Sequence, residues 1–320
     1  MLLILTNSQD ITTDRLLPLL RGVPVFRFNL DAWRSYRWTF DGNGFSVRDA
    51  GGRVCTRADL RAIYYRKPMF LELIDLPAGG SPEAWSRAEV ERLWQDLYEE
   101  MAVAGRALLV HPGRGQWYKP RQMRAAAKYF PVPRWWLAQG EIPPGLPPQV
   151  VAKCLTAQTL GGHKQLFVRE TETARLDPAH PWFLQEKIPA THDVTVACVS
   201  GRLFAYELDR SLFSETDSRL PGLVQRMPWR RAKLAPAAQT AIRAFMKETG
   251  LDFGRLDFLR TADGKLWFLE LNPNGQFAWL DPDGKEGLLR AVAGYLRKSY
   301  AALARPAGSA RRKTRRGGKA

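Results

Sequence analysis

The feature that most limits what this chain can become is a pair of apolar segments with acids set inside them. Gly254-Arg255-Leu256-Asp257-Phe258 is followed, beyond Ala262-Asp263-Gly264, by Trp267-Phe268-Leu269-Glu270-Leu271-Asn272-Pro273-Asn274-Gly275-Gln276. Apolar strands around an Asp-Gly turn predict an antiparallel hairpin over residues 253–259 and 265–271. Side chains two apart on a strand share a face, so Glu270 and Asn272 point the same way and Asp257 can face Glu270 across the hairpin. Two carboxylates and an amide oxygen then meet at one point. Without a cation, such carboxylates repel and resist ionising together. A solvated polar hairpin face is the plain alternative. Against it, Trp267, Phe268, Leu269 and Leu271 make a setting in which unpaired charge is costly. Oxygen donors of this kind suit Mg²⁺.

Residues 2–5, 11–20 and 23–28 read as strand, helix and strand, the usual opening of a parallel sheet. Residues 38–40 and 45–47 flank Asp41-Gly42-Asn43-Gly44 and predict a hairpin. Residues 62–65 form a strand running into Arg66-Lys67-Pro68. Ser81 caps a helix over 81–101 with Pro82 in its first turn, and 108–110 form a strand. A second unit begins near 112. It holds a helix over 121–129, strands at 134–138, 150–153 and 183–186, and a strand–loop–strand passage through Gly161-Gly162 to 168. A hairpin over 193–199 and 202–208, a helix over 236–249 closed by Gly250, and a last helix over 285–302 complete the reading.

The chain's 320 residues leave ample length for a buried core. Its 48 Lys and Arg against 32 Asp and Glu give a net charge of +16. Residues 305–320 hold seven of those basic residues and no acid, which leaves +9 for the body. A basic body favours acidic partners: nucleotides, acidic peptides or nucleic acid. The three cysteines, Cys55, Cys154 and Cys198, are odd in number and far apart, which fits neither a disulfide framework nor a zinc knuckle and suits a reducing cytoplasm. The four histidines lack zinc spacing, and there is no Gly-x-Ser-x-Gly elbow. The apolar start, residues 1–5, is too short for a signal peptide, and no run approaches the ~18 apolar residues of a membrane span.

Lys153 ends an apolar strand, with Gly161-Gly162 eight residues later. A strand-borne lysine and a Gly-rich turn are what a triphosphate needs, although the spacing matches no P-loop. Lys119, in Trp117-Tyr118-Lys119-Pro120, is a second such lysine. Phe183-Leu184-Gln185-Glu186-Lys187-Ile188 turns from apolar to polar, as a strand edge lining an adenine does.

These pieces occur in an order that resembles the ATP-grasp superfamily. Asn272-Pro273-Asn274-Gly275-Gln276-Phe277-Ala278-Trp279, with Leu269-Glu270-Leu271 before it, is similar to a segment of the microviridin-type, or graspetide, peptide-cyclising ligases. Tyr64-Tyr65-Arg66-Lys67-Pro68 resembles their pre-ATP-grasp segment, and residues 119–138 their lysine–helix–strand passage. The resemblance covers roughly residues 2–303 and implies an α+β ATP-grasp fold, two subdomains sandwiching ATP, behind an α/β pre-ATP-grasp domain. The implied division is 1–111, 112–185 and 186–304, followed by a disordered basic tail over 305–320. The resemblance further implies an ATP-dependent ligase in which Asp257, Glu270 and Asn272 hold Mg²⁺, with Glu270 bridging two ions. Lys119, Lys153, Gly161 and Gly162 would hold phosphates, and Gln185, Glu186, Lys187 and Ile188 would line the adenine. Arg255 and Arg219 are candidates to meet the charge of an acyl phosphate.

The implied substrate is an acidic precursor peptide, and the implied assembly a homodimer. Two departures bear on substrate orientation: Asp193-Val194-Thr195 stands where the family carries an acid-x-Arg pair, and Asp217-Ser218-Arg219 where it carries Asp-aromatic-Arg. Two alternatives remain. One is an amino-acid ligase of the same fold. The other is a nucleic-acid-binding protein that uses the basic tail.

Overall fold

The computed structural model describes residues 1–42, 44–70, 80–109, 117–153, 155, 159–160, 164–165, 169–212 and 228–303. The basic tail lies outside them, as do Cys154, Gly161, Gly162 and Arg219. Cys55 and Cys198 are free, buried thiols, each pushed up to about 11 chiefly by burial.

The chain opens with a parallel sheet in the order β2-β1-β6, from β1 (Leu2–Thr6), β2 (Val25–Asn29) and β6 (Ala62–Tyr65). Every residue of β1 is buried, as a strand covered on both faces requires. Leu3 and Leu5 pack with Phe26, Phe28, Trp94 and Tyr98. Leu2 and Ile4 face the other way. The expected helix over 11–20 is split: α1 (Ile11–Leu16) gives way to a 3-10 turn, Leu17–Leu20, because Pro18 has no N–H to continue the helical ladder. The hairpin of β3 (Arg37–Asp41) and β4 (Gly44–Arg48) forms as read, with β5 (Val54–Thr56) added to it. Helix α2 (Pro82–Val103) starts at Ser81, whose side chain accepts a hydrogen bond from Ala84 N. Of the strand expected at 108–110, Val110 lies outside the described residues, and Leu108 and Leu109 are not in a strand. Ala107 makes one parallel bridge with Ile63, and Leu109 takes φ +67°.

A four-stranded antiparallel sheet follows, in the order β11-β8-β12-β7. Its strands are β7 (Trp135–Ala138), β8 (Gln149–Lys153), β11 (Arg169–Glu172) and β12 (Trp182–Glu186). The passage around Gly161-Gly162 is represented by the antiparallel pair β9 (Thr159–Leu160) and β10 (Lys164–Gln165). Helix α3 (Lys119–Ala126) begins and ends earlier than the spacing suggests.

The largest sheet has the order β15-β14-β13-β16-β17. It comprises β13 (Ala190–Val199), β14 (Arg202–Asp209), β15 (Arg230–Arg231), β16 (Phe253–Thr261) and β17 (Leu266–Asn272). One face, through Val194, Val196, Leu256, Phe258 and Phe268, packs on Ile242 and Phe245 of α4 (Pro236–Thr249) and on Met123 of α3. Gly250 ends α4 in the left-handed conformation, φ 68°. The other face is divided. Ala197, Val199, Phe204 and Phe253 are covered by Leu2 and Ile4 of β1 and by Leu288, Val292 and Leu296 of α5 (Leu288–Leu303). Helix α5 begins later than the expected residue 285 because Gly284 and Gly287 take positive φ, while the buried Asp281 carboxylate accepts from Glu286 N and Leu289 N. The uncovered part of that face carries the polar groups.

Candidate active site

Across three neighbouring strands, Thr195 of β13 lies opposite Asp257 of β16, which lies opposite Glu270 of β17; one pair further, Arg255 lies opposite Asn272. Opposed residues share a face, so these five side chains form one patch. A bulge makes this possible. Asp257 pairs with Glu270 but the next residue, Phe258, pairs with Phe268, which leaves Leu269 as the extra residue. Phe268 therefore enters the core, 0% exposed, while Glu270 turns to the opposite face. Burying Phe258 and Phe268 is worth roughly 1.5–3 kcal/mol each, and this fixes a register that sets two carboxylates side by side.

Each carboxylate has partners. Thr195 Oγ1 donates to Asp257 Oδ1 at 2.7 Å, and Arg255 Nη2 donates to Asp257 Oδ2 at 3.0 Å. Lys119 Nζ donates to Glu270 Oε2 at 2.7 Å. Lys119 is held there by Gln122 of the same helix. Gln122 closes the open edge of β17: its Nε2 donates to Leu271 O and its Oε1 accepts from Leu271 N, both at 2.8 Å. The carboxylates of Asp257 and Glu270 and the amide oxygen of Asn272 are hard donors in one patch and fit a divalent cation such as Mg²⁺. Among the described residues no cluster of three or more His, Cys, Asp or Glu could hold a metal. The site thus offers two carboxylates and one amide oxygen, and a metal's remaining ligands would come from what binds.

The loop after Asn272 is pinned from both sides. Asn274 N donates to Asn272 Oδ1 at 3.2 Å. Gly275 passes so close that a Cβ there would sit 3.0 Å from Arg255 Cβ and 3.3 Å from Asn272 Cγ. Arg255 Nη1 donates to Gln276 O at 3.0 Å. Arg66, at the end of β6, donates through Nη1 to Asn274 O at 3.0 Å and Asn274 Oδ1 at 2.7 Å, and through Nη2 to Gln276 Oε1 at 2.5 Å. The Arg66 side chain is fully buried, with Nε 3.7 Å from Asp10 Oδ2. Asp10 also accepts from the hydroxyls of Thr6 and Thr13 at 2.8 and 2.6 Å. Sequence reasoning gave Gln122 no place in the site; it marked Thr195 only as a departure bearing on substrate orientation, and Arg66 only as part of the segment that resembles the pre-ATP-grasp one. For Arg66 the signals available were that resemblance and the charge that ends its apolar strand.

Lys67 follows Arg66. It is half-buried and takes φ +48°, and its carbonyl accepts from Asn7 Nδ2 at 2.9 Å. Burial pushes its ammonium down to about 8, the neighbouring Arg66 and Arg255 charges add to that, and Asp10 opposes it.

The residues expected at the adenine and phosphates lie on the four-stranded sheet. Lys153 sits opposite Phe183, and Val151 opposite Gln185, so Lys153 and Gln185 share one face. That face meets α3: Gln185 is 1% exposed, its Nε2 lies 3.4 Å from Met123 Sδ, and its Oε1 has no partner among the described residues. Glu186 accepts from Arg134 N at 2.9 Å and Arg134 Nε at 2.7 Å, and Lys187 Nζ donates to Glu170 Oε1 at 2.6 Å. Ile188 is half-buried just beyond β12. Helix α3 touches both groups, through Lys119 at the carboxylates and Met123 at Gln185. The structure thus brings Lys119, Arg255, Asp257, Glu270 and Asn272 together and sets Lys153 and Gln185 on a second sheet.

No protein-family model and no curated protein sequence matches the chain. Solved structures do. A RiPP-associated ATP-grasp ligase of Chryseobacterium gregarium, in complex with ADP and a leader and core peptide, aligns with a TM-score of 0.75 at 20% identity, covering 93% of this chain and 96% of its own. The macrocyclase MdnC of Microcystis aeruginosa MRC, bound with precursor peptide MdnA, aligns with a TM-score of 0.74 at 20% identity over 93% and 99% of the two chains. The ATP-grasp ligase PsnB, complexed with a phosphomimetic variant of a minimal precursor, Mg and ADP, gives 0.64 at 16% identity over 95% and 98%. Agreement over nearly the whole of each chain shows that this chain has the fold of the ATP-grasp ligases.

Proposed function

We propose that this protein is an ATP-dependent carboxylate–amine or carboxylate–hydroxyl ligase that acts on an acidic precursor peptide and forms side-chain amide or ester macrocycles. The observation that carries the reading is the in-register face of Asp257, Glu270 and Asn272 with Lys119 at hydrogen-bond distance, set in an ATP-grasp fold. The peptides named with the similar structures support the choice of substrate.

A carboxylate is a poor electrophile at neutral pH. In the proposed reaction one of its oxygens bonds to the γ-phosphorus of ATP, and the bond to the β–γ bridging oxygen breaks, releasing ADP. A side-chain amine or hydroxyl then attacks the acyl carbon, loses its proton, and expels phosphate. Asp257, Glu270 and Asn272 would hold Mg²⁺, which would supply charge neutralisation at the phosphates. Two ions with Glu270 between them are part of the proposal. Lys119 is already paired with Glu270 and can add its charge at the phosphates, as can Lys153 from the four-stranded sheet. Gln185 offers a buried, unpaired acceptor that the exocyclic amine of adenine would satisfy, with Glu186, Lys187 and Ile188 beside it. Arg255, with both terminal nitrogens engaged, acts through Asp257 and Gln276. Arg219, Gly161 and Gly162 keep their proposed roles at the acyl phosphate and phosphates. The proposal includes the division at 111, 185 and 304, a cytoplasmic homodimer, and nucleic-acid contact only through the basic tail. No helix among the described residues is long and apolar enough to cross a membrane.

The test is mass spectrometry of acidic peptides rich in Thr and Lys, incubated with protein, ATP and Mg²⁺ beside a Glu270→Ala control. Loss of one water per ring, absent in the control, is expected. A gain equal to an added amino acid would point instead to an amino-acid ligase, and an unchanged peptide with no ADP formed would refute the reading.

A further inference from the structure

We propose that Lys67 is the residue that receives the substrate's carboxylate, presented from the N-terminal sheet beside the Asp257–Glu270 face. The inference rests on the ligase reading and names a residue that the reading leaves without a role. Three observations carry it.

The first is placement. Arg66 is locked by its contacts with Asn274 and Gln276, and Gln276 is in turn bonded to Arg255, the neighbour of Asp257 on the sheet face. The next residue along the chain, Lys67, is therefore anchored at this loop, within electrostatic reach of Arg255.

The second is backbone conformation. A lysine at φ +48° occupies a region that L-residues avoid, and the Asn7–Lys67 hydrogen bond holds it there. Strained backbone of this kind persists where the surroundings over-determine it, and it concentrates at functional sites.

The third is charge. The Lys67 ammonium is half-buried, has no hydrogen-bond or ion-pair partner among the described residues, and lies near two arginines whose terminal nitrogens are already engaged. Burial lowers it in the same sense as those charges. A desolvated cation beside other cations weakens the fold, and an incoming anion would reverse that. The anion that must come to this face in the proposed reaction, other than the nucleotide, is the peptide carboxylate. An ammonium there offsets the approach of one anion to another, the carboxylate to the γ-phosphate.

The test compares wild type with Lys67→Gln and Lys67→Arg, using a synthetic Glu-rich peptide as probe and calorimetry in the presence of Mg²⁺ and ADP. Thermal unfolding of each variant is followed in parallel. A charge-assisted hydrogen bond corresponds to about ten- to a hundredfold in affinity. Lys67→Gln should lose peptide affinity by about that factor while Mg-ADP affinity holds and the melting temperature holds or rises, and Lys67→Arg should recover most of the loss. Equal peptide affinity in Lys67→Gln would overturn the proposal. So would a parallel loss of Mg-ADP binding and melting temperature, which marks a structural role. Wild type that binds Mg-ADP but not the peptide overturns it as well, whereas wild type that does not bind Mg-ADP takes the ligase reading down with it.

Discussion

At the scale of the residue, the site is governed by what stands beside each carboxylate. Thr195 is a neutral donor to Asp257 in the place where the resembled family carries arginine. A hydroxyl holds the carboxylate in position without adding a second cation to the Arg255 guanidinium already at its other oxygen. Thr195→Val keeps the shape and removes a hydrogen bond to a charged acceptor, worth about 1.5–3 kcal/mol. Mg-ADP affinity by calorimetry should fall about tenfold or more; unchanged affinity would mean that Thr195 does not orient Asp257. Lys67 makes a pH dependence. Its folded-state value of about 8 lies below the ordinary 10.5, so between these limits the unfolded chain holds the extra proton and stability rises with pH. Below about pH 8 the penalty is fully present. Unfolding of wild type and Lys67→Met on either side of the window should show a smaller rise in the variant.

At the scale of the element, the decisive device is one extra residue. Leu269 lets Phe268 point into the core and Glu270 out of it, where strict alternation would put both on one face. Deleting Leu269 should cost about 3 kcal/mol or more, the cost of taking a buried Phe out of the core, or should keep Phe268 buried and turn Glu270 away. Thermal unfolding with Mg-ADP binding separates the two outcomes, and a variant unchanged in both would contradict the bulge account. Much of this level was legible in the sequence. The Asp-Gly turn, the Asp257–Glu270 opposition, the Ser81 cap and the Gly250 stop are local signals, and each produced its element. The bulge was not legible, because it follows from which of two apolar neighbours the core selects. At Leu108 and Leu109 the pattern is apolar enough for the expected strand, but Leu109 takes φ +67°, which an extended strand does not hold.

At the scale of the whole molecule, the N-terminal sheet and the candidate metal face are one machine. Arg66 reaches a loop 208 residues further along the chain, and the core around Leu2 and Ile4 includes Val199, Phe253 and α5. No reading of local pattern contains such a contact, which is why Arg66 looked like a strand end. Gln276→Ala cuts the clamp at its exposed end and leaves buried Arg66 its bonds to Asn274. We expect a melting temperature near wild type but Mg-ADP affinity lowered severalfold by a loosened Asn272 loop; a fall in stability with full affinity would mean that the clamp serves only the fold.

The measurement that tests the central claim most directly is the fate of the substrate's oxygen. A peptide whose side-chain carboxylates carry heavy oxygen is incubated with the protein, ATP and Mg²⁺, and the released phosphate is analysed by mass spectrometry. The account requires one heavy oxygen in each phosphate released, with ADP formed in equal amount and both lost in Glu270→Ala. Phosphate released without the label would mean hydrolysis by water and would contradict activation of a carboxylate at the Asp257–Glu270 face.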